Sequence, residues 1–392
     1  MTDTTTLKSD VTVLRHGLNR ATWGDDTPRY WTRMSGEVGQ RTESGVWLTS
    51  TDAVEFAFRH PEIFSSRPDA AFYGSAGGLI PLQIDPPDHR RYRRMLEPLF
   101  SPKRVGQLRE EIVKLANQCI DVFDQRPSCD FSTEFALPFT SGVFLNLLGL
   151  PLEGLDSFIV LKENVIRPSA DTEEEANAIR TSAGAELREL FASHLDIRKS
   201  QPTDDLLSYF VGLENDGEVT REETLNMCHL LFIAGLDTVS GTLECMFADL
   251  ARTPELREQI VADNDVIPTA VEEFLRWIVT SPIALRIAVE DVEIDGFKIR
   301  KGEVVYILHA TPGFDPDRVA VPEQIDLLRE DNPHAAFGLG IHRCLGSHLA
   351  RLELDVALRE WHARKPTYTL PADYTVQYTP GLRGVENLIL EF

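Results

Sequence analysis

The stretch between Thr220 and Arg252 constrains the fold more than any other. Thr220-x-x-Glu223 spells a capping box, in which the threonine hydroxyl and the glutamate carboxylate satisfy backbone N–H groups at a helix start. Apolar residues then recur with helical spacing to about Arg252, where Thr253-Pro254 opens the next helix. A helix of roughly 30 residues is about 45 Å long, enough to cross a whole globular domain. The chain must therefore wrap other elements around this one.

The rest of the pattern agrees. Asp52–His60 reads as a short helix stopped by Pro61, and a basic helix, His89–Phe100, follows Asp85-Pro86-Pro87. Helical spacing runs from Pro102 to Arg198 with breaks near Pro127 and Pro151, and returns in Pro268–Val279 and Ser347–Lys365. Strand signals are short: Val292–Ile294, a turn at Asp295-Gly296, Lys298–Arg300 and Val304–Leu308, with short strands again at the end of the chain. Arg67–Leu82 and Thr311–Phe337 read as long loops. The expected class is mainly α with small β-sheets. Pro and Gly are scattered, no low-complexity linker interrupts the chain and no repeat of fixed period occurs, so residues 1–392 read as a single domain.

A formal net charge of −23 disfavours nucleic acid and anionic membrane surfaces as partners. The first residues, Met1-Thr2-Asp3-Thr4-Thr5-Thr6, lack the basic and apolar regions of a secretory signal. Apolar runs such as Leu230–Ile233 fall far short of the roughly 20 residues that cross a bilayer. A cytoplasmic monomer is expected. Five cysteines, Cys119, Cys129, Cys228, Cys245 and Cys344, make an odd count without CxxC spacing, which fits neither a disulfide framework nor a zinc site.

Cys344 stands apart. It lies in Phe337-Gly-Leu-Gly-Ile-His-Arg-Cys-Leu-Gly346, where Gly338 and Gly340 let a loop pass close to a flat ligand. The cysteine then sits at the entrance to a helix, whose free N–H groups and dipole favour thiolate over thiol. A thiolate is a strong axial donor to haem iron. A buried structural cysteine in a Gly-rich turn is the default for a lone residue, but it leaves Phe337, the paired glycines and His342 without a role. In the long helix, Ala234-Gly-Leu-Asp-Thr238 places small residues where a ligand can approach, and an acid beside an alcohol where charge is costly unless it is paired or works.

Over nearly its whole length, and in the same order of motifs, the chain resembles the cytochrome P450 superfamily in its soluble bacterial branch. The resemblance implies a triangular-prism fold with haem b between the long central helix and the Cys344 loop. It makes Cys344 the iron ligand, and Asp237 and Thr238 the pair that controls proton delivery during dioxygen activation. By family position, His89, Arg93, Arg286 and His342 would meet the haem propionates. Phe337, Gly338 and Gly346 would belong to the ligand loop. Glu273 and Arg276 match the family's Glu-x-x-Arg brace, and Gln324 falls where a third, basic member usually stands. Taken singly, each of these charges reads more simply as a solvated surface group.

Family position alone nominates the substrate pocket: Phe72, Tyr73, Leu79, Ile80, Leu82, Leu230, Ile233, Ala234, Ile283, Ala284 and Val385, with Tyr73 or Arg383 as polar contacts. Core packing is the competing role for each. Arg90, Arg91 and Arg94, with Lys103, Arg104 and Arg343, form a basic patch on an acidic chain, suited to a small acidic electron donor. No GxGxxG fingerprint or flavin segment is present, so the resemblance implies a separate ferredoxin and its reductase. The expected function is insertion of one atom of O2 into a small or medium hydrophobic substrate, by C–H hydroxylation or O-dealkylation. A peroxide-driven haem enzyme and a noncatalytic gas sensor or carrier are the rivals.

Overall fold

In the computed structural model, residues 27–67, 74–75, 77–379 and 382–392 are described, so Phe72 and Tyr73 lie outside the described residues. Helices dominate and the strands are short, as the sequence pattern predicts. The chain divides into two compact units. One comprises Met1–Ser66, Leu96–Ala136 and Thr238–Phe392; the other comprises Arg67–Met95 and Leu137–Asp237.

The second unit is helical. Leu137–Leu148, Leu155–Ile166, Glu173–Ser200, Leu206–Asn215 and Arg221–Gly235 pack through residues such as Phe158, Phe191 and Phe232. The capping box at the start of Arg221–Gly235 forms as expected, with the Thr220 hydroxyl accepting from the Glu223 N–H at 3.2 Å and the Glu223 carboxylate accepting from the Thr220 N–H at 2.6 Å.

The first unit carries the main sheet, in the order Gly39–Thr42, Gly45–Leu48, Val304–Leu308, Ile283–Ala288, Phe64–Ser65. Only the Gly45–Leu48 pairing with Val304–Leu308 is parallel; Val46 faces Val305 and Leu48 faces Ile307. Val46, Leu48, Val305 and Ile307 are buried here against Val54, Ala57 and Phe58 of the helix Thr51–Arg59. The hairpin Val292–Ile294 with Phe297–Ile299 turns at Asp295-Gly296, both with positive φ. A second core gathers Phe131, Phe135, Phe247, Trp361 and Tyr368.

The long helix differs from expectation in one respect. Arg221–Arg252 spans 32 residues, and by length and composition it is able to cross a membrane, but 72% of its apolar window is buried within the protein. It is interrupted between Arg221–Gly235 and Thr238–Arg252. The break falls between Gly235 and Thr238, next to a poor helix former. Gly235 is required there, because a Cβ would stand 2.3 Å from Cδ2 of Phe144.

Two histidines of the first unit are buried and neutral. Burial drops His309 to about 4, against the hydrogen bond from its Nδ1 to the Ala335 carbonyl. It does the same to His362, which bonds the Leu358 carbonyl and Tyr368. Their folded pKa values lie below the unfolded value, and the unfolded chain takes up protons first. Stability is therefore full above about pH 6.5 and falls as pH drops towards about 4. Thermal unfolding midpoints should fall between pH 7 and pH 4.5, and less steeply in His362→Gln.

Candidate active site

The Cys344 loop is held at several points within the first unit. Gly338 and Gly340 adopt φ of 64° and 65°, left-handed conformations that glycine takes without strain. A Cβ on Gly340 would lie 2.2 Å from the Phe58 carbonyl oxygen, so glycine is needed there for contact as well as conformation. Main-chain bonds fix the loop: Gly338 N–H to the Ala335 carbonyl, Arg343 N–H to the Gly340 carbonyl, and Cys344 N–H to the Phe337 carbonyl at 2.8 Å. Gly346 caps the helix Ser347–Arg364, which starts just after the cysteine. Cys344 is exposed, whereas Cys119, Cys129, Cys228 and Cys245 are buried. Burial pushes the thiol of Cys119 up to about 11 and those of Cys129 and Cys245 up to about 12, and raises Cys228 further. The four are inert at neutral pH.

Arg286 and His342 belong to the same unit. Arg286 is buried on the strand Ile283–Ala288, where Nη1 donates to the Leu285 carbonyl at 2.7 Å and the guanidinium lies 5.8 Å from the Phe58 ring centre. His342 Nε2 is 2.9 Å from the Ser66 hydroxyl. His89 and Arg93 lie on the helix Asp88–Leu96, the first buried and the second half-buried. Within the first unit, an exposed cysteine on a pinned loop and the buried guanidinium of Arg286 are groups whose chemistry fits a haem held by one thiolate and anchored through a carboxylate.

Asp237 is fully engaged within the second unit. Its Oδ1 accepts from Lys162 Nζ and Arg167 Nη2, each at 2.7 Å, and its Oδ2 from Arg167 Nη1 at 2.7 Å. Lys162 and Arg167 also pair with Glu163. Burial alone would raise the Asp237 pKa, but the two cations outweigh it and hold the carboxyl at about 2. Sequence reasoning missed both cations, which lie 75 and 70 residues away from the acid. Thr238 is half-buried at the head of Thr238–Arg252, and its carbonyl accepts from the Thr242 hydroxyl at 2.8 Å.

Glu273 and Arg276 are fully buried and joined through both carboxylate oxygens, at 2.7 and 2.8 Å. The third member is not Gln324, whose side chain is exposed and whose carbonyl alone takes part. Arg329 takes that place, with Nε 3.0 Å from Glu273 Oε2, and Asn332 donates to the same oxygen at 3.0 Å. Arg329 lies five residues beyond Gln324 in the sequence, so the fixed spacing of the motif does not reach it. Arg276 also ties down the carbonyls of Gly313, Pro322 and Gln324.

Among the remaining candidates, Leu79 and Ile80 are buried and Leu82 is partly exposed. On Arg221–Gly235, Ile233 is buried, Leu230 half-buried and Ala234 exposed; Ile283 and Ala284 are half-buried. Val385 is buried in a short strand. Arg383 is buried, with its Nη1 bonded to the carbonyls of Trp277 and Ile278, and it lies over Tyr378. Arg91 is also committed, to Glu223 at 3.1 Å and to the Glu218 carbonyl, whereas Arg90, Arg94 and Arg343 are exposed.

The family model for cytochrome P450 matches residues 163–360. A probable cytochrome P450 127A1 of Sinorhizobium fredii is 35% identical over 89% of this chain and 84% of its own. The chain belongs to the cytochrome P450 family. A steroid C26-monooxygenase of Mycobacterium tuberculosis is 32% identical to this P450, over 88% of the chain and 87% of the relative. A solved structure of P450BioI with an acyl carrier protein bearing hexadec-9Z-enoic acid superposes with a TM-score of 0.86 at 26% identity, covering 94% of this P450 and 99% of that chain. The mainly helical architecture with small sheets is thus a P450 fold, and the chain is a haem-iron monooxygenase of the oxidoreductases.

Proposed function

We propose that this P450 inserts one atom of O2 into a small or medium hydrophobic substrate, by C–H hydroxylation or O-dealkylation. Haem b would be the cofactor and Cys344 the thiolate ligand. A ferredoxin and its reductase would supply the electrons, in the cytoplasm, and the whole chain would act as one catalytic domain. The observation that carries this reading is that Cys344, alone among five cysteines, is exposed, and sits at the end of a loop pinned by Gly340 against Phe58.

When bound, the haem supplies the redox chemistry of dioxygen activation. The chain supplies the setting. Arg286, His342, His89 and Arg93 would hold the propionates, with arginine suited to carboxylates through paired N–H groups. Apolar residues such as Leu230, Ile233 and Ala234 favour a substrate oriented by shape. The relatives' names point to different substrate classes, a steroid in one and a carrier-bound fatty acyl chain in the other, so substrate choice rests on this chain's own lining.

Asp237 is assigned to proton delivery beside Thr238. A carboxylate at about 2, gripped by two cations, carries no proton at neutral pH while the grip lasts. In this scheme the side chain must leave Lys162 and Arg167 to pass a proton, and the ion cluster gates that step. Arg167→Gln removes two charged donors, so the Asp237 pKa rises and the acidic limb of the kcat–pH profile should move to higher pH. An unmoved profile would separate Asp237 from proton transfer.

Turnover of an apolar substrate with ferredoxin, reductase and NAD(P)H tests the reaction class, after a screen for substrates that change the haem spin state. Turnover with peroxide alone would reverse the electron assignment. Arg90→Glu/Arg94→Glu should weaken ferredoxin-supported turnover several-fold at low salt and leave substrate binding intact; unchanged turnover at low salt would remove the docking role. Arg91 is left out because reversing it would break the Glu223 contact.

A further inference from the structure

Glu272, Arg351 and His334 form a cluster against the ligand loop, separate from the groups assigned to the haem and the substrate. Arg351, on Ser347–Arg364, donates to both oxygens of Glu272, on Ile267–Ile278, at 2.5 and 2.8 Å. Glu272 Oε2 also accepts from His334 Nε2 at 3.2 Å. The Nδ1 of the same imidazole accepts from the Ala336 N–H at 3.2 Å, which fixes the ring proton on Nε2. Burial opposes the charge on Glu272, but hydrogen bonds from Arg351 and His334 prevail and hold the carboxyl at about 2.

The free face of the guanidinium covers an aromatic ring. Its Cζ lies 4.6 Å from the centre of Phe337, close enough for a cation–π contact. The His334 ring is 6.4 Å from the same ring at 52°. The main chain of Phe337 in turn accepts the Cys344 N–H at 2.8 Å. One route of direct contacts thus runs from Glu272 through Arg351 and Phe337 to the cysteine backbone. It joins two long helices to a loop whose glycines would otherwise leave it free to move.

We infer that Arg351 is a positioning residue for the thiolate ligand, holding the Phe337 ring and through it the Cys344 main chain. The inference rests on Cys344 being the haem ligand. A ligand loop fixed from behind keeps the sulfur in place when the iron changes oxidation state. Arg351 also neutralises the Glu272 carboxylate beside that loop, and its loss would leave an uncompensated negative charge that disfavours the more negative, reduced centre. Loss of the residue should therefore loosen the ligand and disfavour reduction together. A role confined to helix packing would lower stability, and so speed loss of the band on heating, but would leave the reduced fraction of the haem-loaded protein unchanged.

The test uses the full-length, haem-loaded protein and four variants: Arg351→Gln, Arg351→Lys, Phe337→Leu and the double variant Arg351→Gln/Phe337→Leu. Two quantities are read: the rate at which the red-shifted band of the reduced carbon monoxide complex is lost under mild heating, and the ratio of reduced to oxidised protein at a fixed applied potential. Arg351→Gln should speed loss of the band about 3- to 30-fold, the range a cation–π contact covers, and should lower the reduced fraction. Arg351→Lys should restore much of both. Phe337→Leu should speed the loss while Arg351 keeps its bonds to Glu272, and the double variant should be little worse than the worse single one. If Arg351→Gln fails to take up haem, Phe337→Leu carries the test.

Wild-type rates and reduced fractions in both single variants would overturn the inference, as would strictly additive effects in the double variant. A wild-type protein that loads haem but lacks the red-shifted band would instead overturn the ligand assignment itself.

Discussion

Asp237→Asn is expected to lower ferredoxin-supported kcat by about 10²-fold or more, the usual weight of a positioned proton-transfer group, with KM nearly unchanged. The carboxylate is the acidic group of the helical interruption, and its oxygens are spent on Lys162 and Arg167. Asparagine keeps the shape and part of the hydrogen bonding but can neither gain nor lose the proton. The substitution also leaves two cations with Glu163 as their remaining partner, so some stability is lost with the activity. Lys162→Met separates the two effects. It disturbs the same cluster yet leaves Asp237 with Arg167, so stability should fall while kcat stays within about tenfold of wild type. Equal kcat losses in both variants would make Asp237 a structural anchor.

The largest stability effect should come from Glu273→Ala. Glu273 and Arg276 are fully buried, and Arg329, Asn332 and the Asp326 N–H converge on the same carboxylate. Removing it strands buried guanidinium groups, and breaking such a pair costs about 3–5 kcal/mol. Arg276 also holds the carbonyls of Gly313 and Pro322, so the segment after Val304–Leu308 should loosen with it. Denaturant unfolding of the purified variant measures the loss; a cost under about 1 kcal/mol would place the brace among weak surface pairs. Gln324→Ala should be nearly silent, because only its main chain takes part.

What the sequence disclosed follows from how local each signal is. The Cys344 loop and the capping box at Thr220 are written in consecutive residues whose conformational needs are specific, and both form as read. Thr51–Arg59, Ile267–Ile278 and Ser347–Arg364 match the expected spans within a residue, whereas the helical spacing read over Pro102–Arg198 is also broken between Ile166 and Glu173 and holds a short strand at Ser128–Asp130. Ile283–Ala288 was not legible as a strand, because it is half-buried along most of its length and shows no alternation. Lys162 and Arg167 were invisible for a different reason: an ion pair across 70 or more residues leaves no periodicity. Arg329 was hidden by the fixed spacing that pointed to Gln324. Arg351 was hidden because an arginine in an amphipathic helix ordinarily reads as solvated surface. The charges that meet the site from afar needed coordinates.

The most direct test of the central claim is the difference spectrum of the dithionite-reduced protein with and without carbon monoxide. A Soret band shifted far to the red, and lost in Cys344→Ala, is the result expected for haem held by the Cys344 thiolate. Folded, haem-supplied protein with no such band, or a band that survives in Cys344→Ala, would contradict it.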